Sequence, residues 1–229
     1  MIPLRDDNPT TLKPVITIGL IALCTLAFFW QLSLGVRADA VIQALGVMPA
    51  ALFGNQQAEM RQVPAALTIV TSMFLHGGWM HLIGNMLYLW IFGNNVEDAM
   101  GHGRFVLFYL LCGAAAVLAQ AVPMPDSTIP MIGASGAISG VLGAYLLLYP
   151  HARVLVLIPL GYFSRMIYLP AMVVLGLWFL LQFLSILLTD PNQPGVAFGA
   201  HAGGFVTGMI LIPLFKRREI RLLRPRQLH

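Results

Sequence analysis

Long apolar runs alternate with short polar breaks along this 229-residue chain. A membrane-spanning helix needs about 20 mostly apolar residues. Six segments meet or approach that length, at about 14–34, 79–95, 104–122, 135–149, 167–188 and 196–215. The fourth is short. The stretch 35–78 is too apolar for an open loop, and its run "PAALTIVTSMFL" (64–75) is too short to span. It predicts short helices lying partly in the outer leaflet and packed on the bundle. The expected fold class is all-α, a polytopic membrane protein with six transmembrane helices and a long, partly embedded first outer loop. Residues 1–13 form a cytoplasmic segment, 14–215 the membrane domain and 216–229 a basic cytoplasmic tail. No internal repeat and no inverted halves are visible.

Composition sharpens this picture. Hydrophobic residues make up 58% and charged residues 10%, with a mean hydropathy of +0.80. A soluble domain carries about 25% charged residues, so a water-soluble globule is excluded. The cations are lopsided. With the N-terminus inside, Arg5, Lys13, Arg104, Arg153, Arg165 and the six in the tail face the cytoplasm, leaving only Arg37 and Arg61 outside. Both termini are therefore expected in the cytoplasm, of a prokaryotic inner membrane, with the tail against anionic headgroups and not on nucleic acid. The first apolar run is too long for a signal-peptide core, lacks a small-residue cleavage site and is expected to stay as an anchor. Cys24 and Cys112 sit within apolar runs and read as buried thiols. No four-ligand Cys/His spacing for zinc exists, and neither metal nor cofactor is expected.

Polar side chains inside spans are costly and usually functional. Three groups stand out: His81 and Asn85 on the second helix, Ser135 opening the fourth, and His201 on the sixth. At a rise of about 1.5 Å per residue, Ser135 lies ~21 Å above the inner boundary, His201 ~22 Å, His81 ~24 Å and Asn85 ~18 Å. In a hydrocarbon core of about 30 Å, three helices thus carry polar groups to one level below the outer surface. Helix four bears Gly136, Gly140 and Gly143; helix six bears Gly199, Gly203, Gly204 and Gly208. Small residues four apart let backbones approach. If these faces meet, Ser135 and His201 come within reach; the alternative is a packing seam without chemistry. His81 and Asn85, four apart, share a helix face. His76, five before His81, is expected to precede the helix; a paired metal site is possible, but the spacing puts the two on different faces, which argues against it.

A serine and a histidine at hydrogen-bond distance form a nucleophile and its general base. His81, Asn85 and the N–H of Ser135 at a helix N-terminus are donors for an oxyanion. Gly133 and Gly136 allow tight backbone geometry, and the short helix leaves the hydroxyl in a recess open to water.

The pattern Gly133-Ala134-Ser135-Gly136, His201 within "GAHAGGFVTG", "HGGWMHLIGN" with His81 and Asn85, and "VEDAMGHGRF" with Glu97, Gly101 and Arg104 resemble the rhomboid intramembrane serine proteases in their basic six-helix prokaryotic form. The likeness runs from about residue 14 to 215. It implies a Ser135/His201 dyad with no third carboxylate, and oxyanion stabilisation by His81 and Asn85. It implies substrates that are single-span membrane proteins cut near or within the outer leaflet, with the fifth helix and an outer loop as gate and lid. Two positions depart from the family pattern. Ser139 stands where members carry a tyrosine stacked on the catalytic histidine, and Leu67-Thr68 stands where many carry Trp-Arg. Two rival readings are a catalytically inactive relative that binds membrane proteins, and a small transporter, which would need a mid-span carboxylate the chain lacks.

Overall fold

The computed structural model describes residues 1–54, 63–160, 163–188 and 195–223. Arg61 and the tail residues Arg224 and Arg226 lie outside the described residues.

Six long helices form the bundle: α1 (Val15–Ser33), α5 (Trp79–Met100), α6 (His102–Ala121), α7 (Ser135–Leu148), α8 (Ala171–Leu188) and α9 (Phe198–Phe215). Four of them (α1, α6, α8 and α9) are long and apolar enough to cross a bilayer. α5 meets that standard only together with the segment 65–74, against which it is bent by 83°. The described part of the long outer connection holds three short helices, α2 (Ala38–Leu45), α3 (Pro49–Leu52) and α4 (Ala65–Thr71). On α4, Leu67 is exposed while Thr68 is buried with its hydroxyl on the carbonyl of Ala65.

α7 is buried along nearly its whole length. Being walled by protein rather than lipid, it need not reach either membrane surface, so 14 residues suffice. α5, α6 and α9 pack around it, with Phe92, Tyr109, Tyr145, Leu142 and Phe205 filling the centre. The exposed apolar side chains concentrate on α1 and α8, among them Leu26, Phe29, Leu181 and Leu187. A bundle that turns such surface outward is suited to lipid. The protein is a helical, multi-pass integral membrane protein.

The fifth helix begins four residues later than the apolar run suggests. Residues 163–170 are strand, because the branched, alternating run "RVLVLIPL" before them offers a partner: β2 (Arg153–Leu160) pairs antiparallel with β3 (Phe163–Pro170), Val156 opposite Ile167. Val154 and Val156 turn inward, the period-two mark of a half-buried strand. β1 (Ile2–Asp6) adds on the other side in the order β1-β2-β3, Ile2 opposite Leu157.

Buried polar side chains tie the N-terminal residues to the end of α5. The Glu97 carboxylate, fully buried, accepts from the N–H groups of Ile16 and Thr17 at 2.9 and 2.8 Å, from the Thr17 hydroxyl at 2.7 Å, and contacts His102 Nδ1 at 2.6 Å. It thereby caps α1 from outside, supplying acceptors for a helix start whose N–H groups have none. Asp98 accepts from Thr11 and Leu12 and meets Arg217 at 3.3 Å.

Candidate active site

The turn into α7 is set by Gly133. Its φ of +118° lies where a Cβ is strained, and its N–H donates to the Ser72 carbonyl at 2.8 Å. Ser135 follows as the first residue of α7, half-buried, and among the described residues no side chain caps the first turn. The N–H groups there are free to meet an incoming oxygen.

α7 and α9 touch backbone to backbone. A methyl at Gly204 would overlap the Gly136 carbonyl, one at Gly208 the Gly140 carbonyl, and one at Gly143 the Phe205 carbonyl. A Cβ at Gly136 would lie 3.9 Å from Ala200. Ser135 and His201 each stand one residue from that approach. The small residues of α9 divide between two partners, however: Gly199 and Gly203 face Gln120 and Ala119 of α6. Gln120 also accepts from the Ala200 N–H at 3.2 Å.

His81 reaches over the same turn. A Cβ at Gly133 would stand 2.6 Å from His81 Nε2 and 3.7 Å from Ser135 Oγ, so glycine keeps the space between them open. The Gly77 N–H donates to His81 Nδ1 at 3.4 Å, which leaves the proton on Nε2, facing Ser135. Asn85 is engaged elsewhere, its Nδ2 donating to His76 Nε2 at 3.0 Å. His76 donates from Nδ1 to the Phe74 carbonyl, and its backbone is clasped by the Gln31 amide. The His76 and His81 rings meet edge to face at 5.1 Å. The expected separation of these two fails because His76 precedes α5, in an extended link that helical spacing does not govern. Among the described residues no group of three His, Cys, Asp or Glu side chains is arranged to hold a metal.

His201 is held from α8. Gln182 Oε1 lies 2.7 Å from His201 Nδ1, the Trp178 ring lies 5.9 Å away at 32°, and Phe198 meets the ring edge-on at 6.3 Å. Ser139 takes no part: its hydroxyl donates to the Ser135 carbonyl at 2.7 Å within α7. Among the described residues no hydrogen bond joins Ser135 Oγ to the His201 ring. A recess of about 30 Å³ opens beside Ser135, lined by Met73, Met131 and Ile132 as well as by Gly133, Gly136 and Ala200.

Sequence reasoning thus singled out four residues of which Ser135, His81 and His201 gather at one end of α7, while Asn85 sits one shell behind through His76. It did not bring Gln182, Trp178 or Gln31 to the site, and it weighed His76 only as a metal partner of His81. For Gln182 a signal was present, since an amide within an otherwise apolar span is as costly as the histidine it meets.

Comparison with known proteins agrees with this architecture. Residues 64–218 match the family model described as the Rhomboid domain. The chain is 27% identical to Rhomboid-like protein 11, chloroplastic, of Arabidopsis thaliana over 82% of this chain and 65% of that protein. It is 38% identical to Rhomboid protease GluP of Bacillus subtilis (strain 168) over 58% of this chain and 24% of that protein. With Rhomboid-like protease 5 of Toxoplasma gondii it shares 32% identity over 66% of this chain and 16% of that protein. The chain therefore spans between a sixth and two thirds of the length of these relatives. A domain match covering more than half the residues, on a bundle centred on a short buried helix, makes this chain a member of the rhomboid family.

Proposed function

We propose that this chain is an intramembrane serine endopeptidase that hydrolyses peptide bonds of single-span membrane proteins near the outer leaflet. The observation that supports the reading is the close approach of α7 to α9, in which Gly136 and Ala200, the chain neighbours of Ser135 and His201, face each other. In this reading Ser135 Oγ attacks the scissile carbonyl carbon and gives its proton to His201 Nε2. His201 then passes that proton to the leaving amine, and a water molecule, deprotonated by the same nitrogen, hydrolyses the acyl-enzyme. Proton transfer requires the serine and imidazole to close to hydrogen-bond distance, a tightening that substrate-free enzymes commonly make only in the complex.

His81 Nε2–H and the N–H groups opening α7 are the oxyanion donors, with Asn85 acting from behind by fixing His76. The narrow recess of about 30 Å³ beside Ser135 suits a small side chain next to the cut. The asymmetric cations support a topology with both termini in the cytoplasm, which puts the serine near the outer side. Relatives named as proteases in Bacillus subtilis and Toxoplasma gondii support a protease activity.

The test uses purified protein in detergent with a fluorophosphonate probe and a single-span reporter. Wild type should label and cleave, while Ser135→Ala and His201→Ala should do neither. A wild type that neither labels nor cleaves, yet retains a single-span protein on affinity capture, would instead establish the noncatalytic binder. His81→Ala should lower kcat by about 10²-fold with KM nearly unchanged, the pattern of a lost transition-state donor.

A further inference from the structure

The imidazole of a Ser-His pair must present an unprotonated Nε2 to the serine, so something must hold the proton on Nδ1. In a triad a carboxylate does this. Among the described residues no carboxylate bonds to His201, and Ser139 is turned into its own helix. The atom that does meet Nδ1 is Oε1 of Gln182, at 2.7 Å. Trp178, one turn earlier on the same helix, lies against the ring, and it also touches Tyr88 of α5 and Phe205 of α9.

We propose that Gln182 is the positioning residue of this site: its amide oxygen accepts the Nδ1–H of His201, fixing the tautomer and the ring angle, with Trp178 as the wall against which the ring is held. This inference rests on the proposed Ser135/His201 chemistry and adds a third member supplied by α8. The geometry follows from helix spacing. Residues 178 and 182 are four apart and so point to one side of α8, the side turned towards α9, while Leu177, Leu180, Leu181 and Leu184 are exposed. An amide is the suitable acceptor in this place. It carries no charge to be desolvated when the imidazole is neutral, yet its dipole strengthens the bond when the ring takes the serine proton. The bond crosses from one helix to another, so base and acceptor are aligned only while α8 lies against α9.

Three variants and one spectrum test this. Gln182→Leu keeps a side chain of similar bulk and removes the acceptor; Gln182→Glu restores an acceptor oxygen at the same reach. The leucine variant should lose roughly ten-fold in kcat and in the rate of fluorophosphonate labelling, the worth of one hydrogen bond to a charged ring, with KM unchanged. The glutamate variant should regain most of that rate, which a packing role would not allow, since a carboxyl is the poorer fit among lipid-facing neighbours. Nitrogen-15 spectra of histidine-labelled protein, with His201→Ala for assignment, should show Nδ1 protonated in wild type and a tautomer mixture in Gln182→Leu. A leucine variant that labels at the wild-type rate overturns the inference and leaves the protease reading standing. So does a wild-type spectrum with the proton on Nε2, which would mean that the amide donates to Nδ1. Wild type that fails to label, like Ser135→Ala, overturns both.

Discussion

At the scale of single residues, the site depends on what is missing from Gly133. Its positive φ is tolerable only without a Cβ, and the space a Cβ would fill separates His81 Nε2 from Ser135 Oγ. Gly133→Ala should therefore cost about 1–3 kcal/mol of backbone strain and push the His81 ring aside, cutting the fluorophosphonate labelling rate at least ten-fold in a protein that still runs as a monodisperse species in detergent. Labelling within two-fold of wild type would contradict this. Ser135, His81 and His201 could be singled out in the sequence, because polar residues in an apolar span announce themselves. The engagement of Asn85 with His76 was not. It depends on an extended four-residue link whose path no periodicity encodes, and a spacing of five residues read as helix places the two rings apart when they in fact touch.

Among elements, the fifth helix and the N-terminal residues show where hydropathy stops being informative. An apolar run reads the same whether it is helix or strand, so β3 merged with α8 in the sequence, and only pairing with β2 separates them. The residues before α1 read only as a cytoplasmic segment without a predicted element; they hold a strand and the hydrogen-bond partners of buried acids. Glu97 illustrates the energetics. Replacing it with Ala leaves the N–H groups of Ile16 and Thr17 and the Thr17 hydroxyl without acceptors in a buried place. Each orphaned group costs about 1–3 kcal/mol, so Glu97→Ala should lower the unfolding free energy by about 3 kcal/mol or more in a detergent-monitored thermal or denaturant melt. Thr17→Val, which removes only one of these donors, should cost about 1 kcal/mol. A Glu97→Ala melt indistinguishable from wild type would show that water replaces the carboxylate.

For the molecule as a whole, the sheet and the bundle are joined at Asp6. Its carboxylate accepts from the Tyr145 hydroxyl at 2.6 Å and the Asn95 amide at 2.9 Å. Burial outweighs these bonds and raises its pKa to about 6 from an ordinary 3.8. A raised acid favours the fold when protonated. This contribution is fully present below about pH 4, declines as pH rises through about 6, and is absent at neutral pH. Its full size is about 2–3 kcal/mol. Asp6→Asn should remove that slope, so wild type and variant melts followed from pH 4 to 7 should diverge across this window and run parallel outside it. Identical pH profiles would place the proton elsewhere.

The α7–α9 contact has a mechanical corollary. Where helices meet through side chains, a thinner or thicker bilayer can be absorbed by rotamer changes; where carbonyl oxygens abut glycine Cα atoms there is no slack to take up. These two helices must tilt and shift as one rigid pair. Lipid composition will then act through the outward-facing α8, and substituting any of Gly143, Gly204 or Gly208 will change the distance between Ser135 and His201 before it changes anything a lipid can sense.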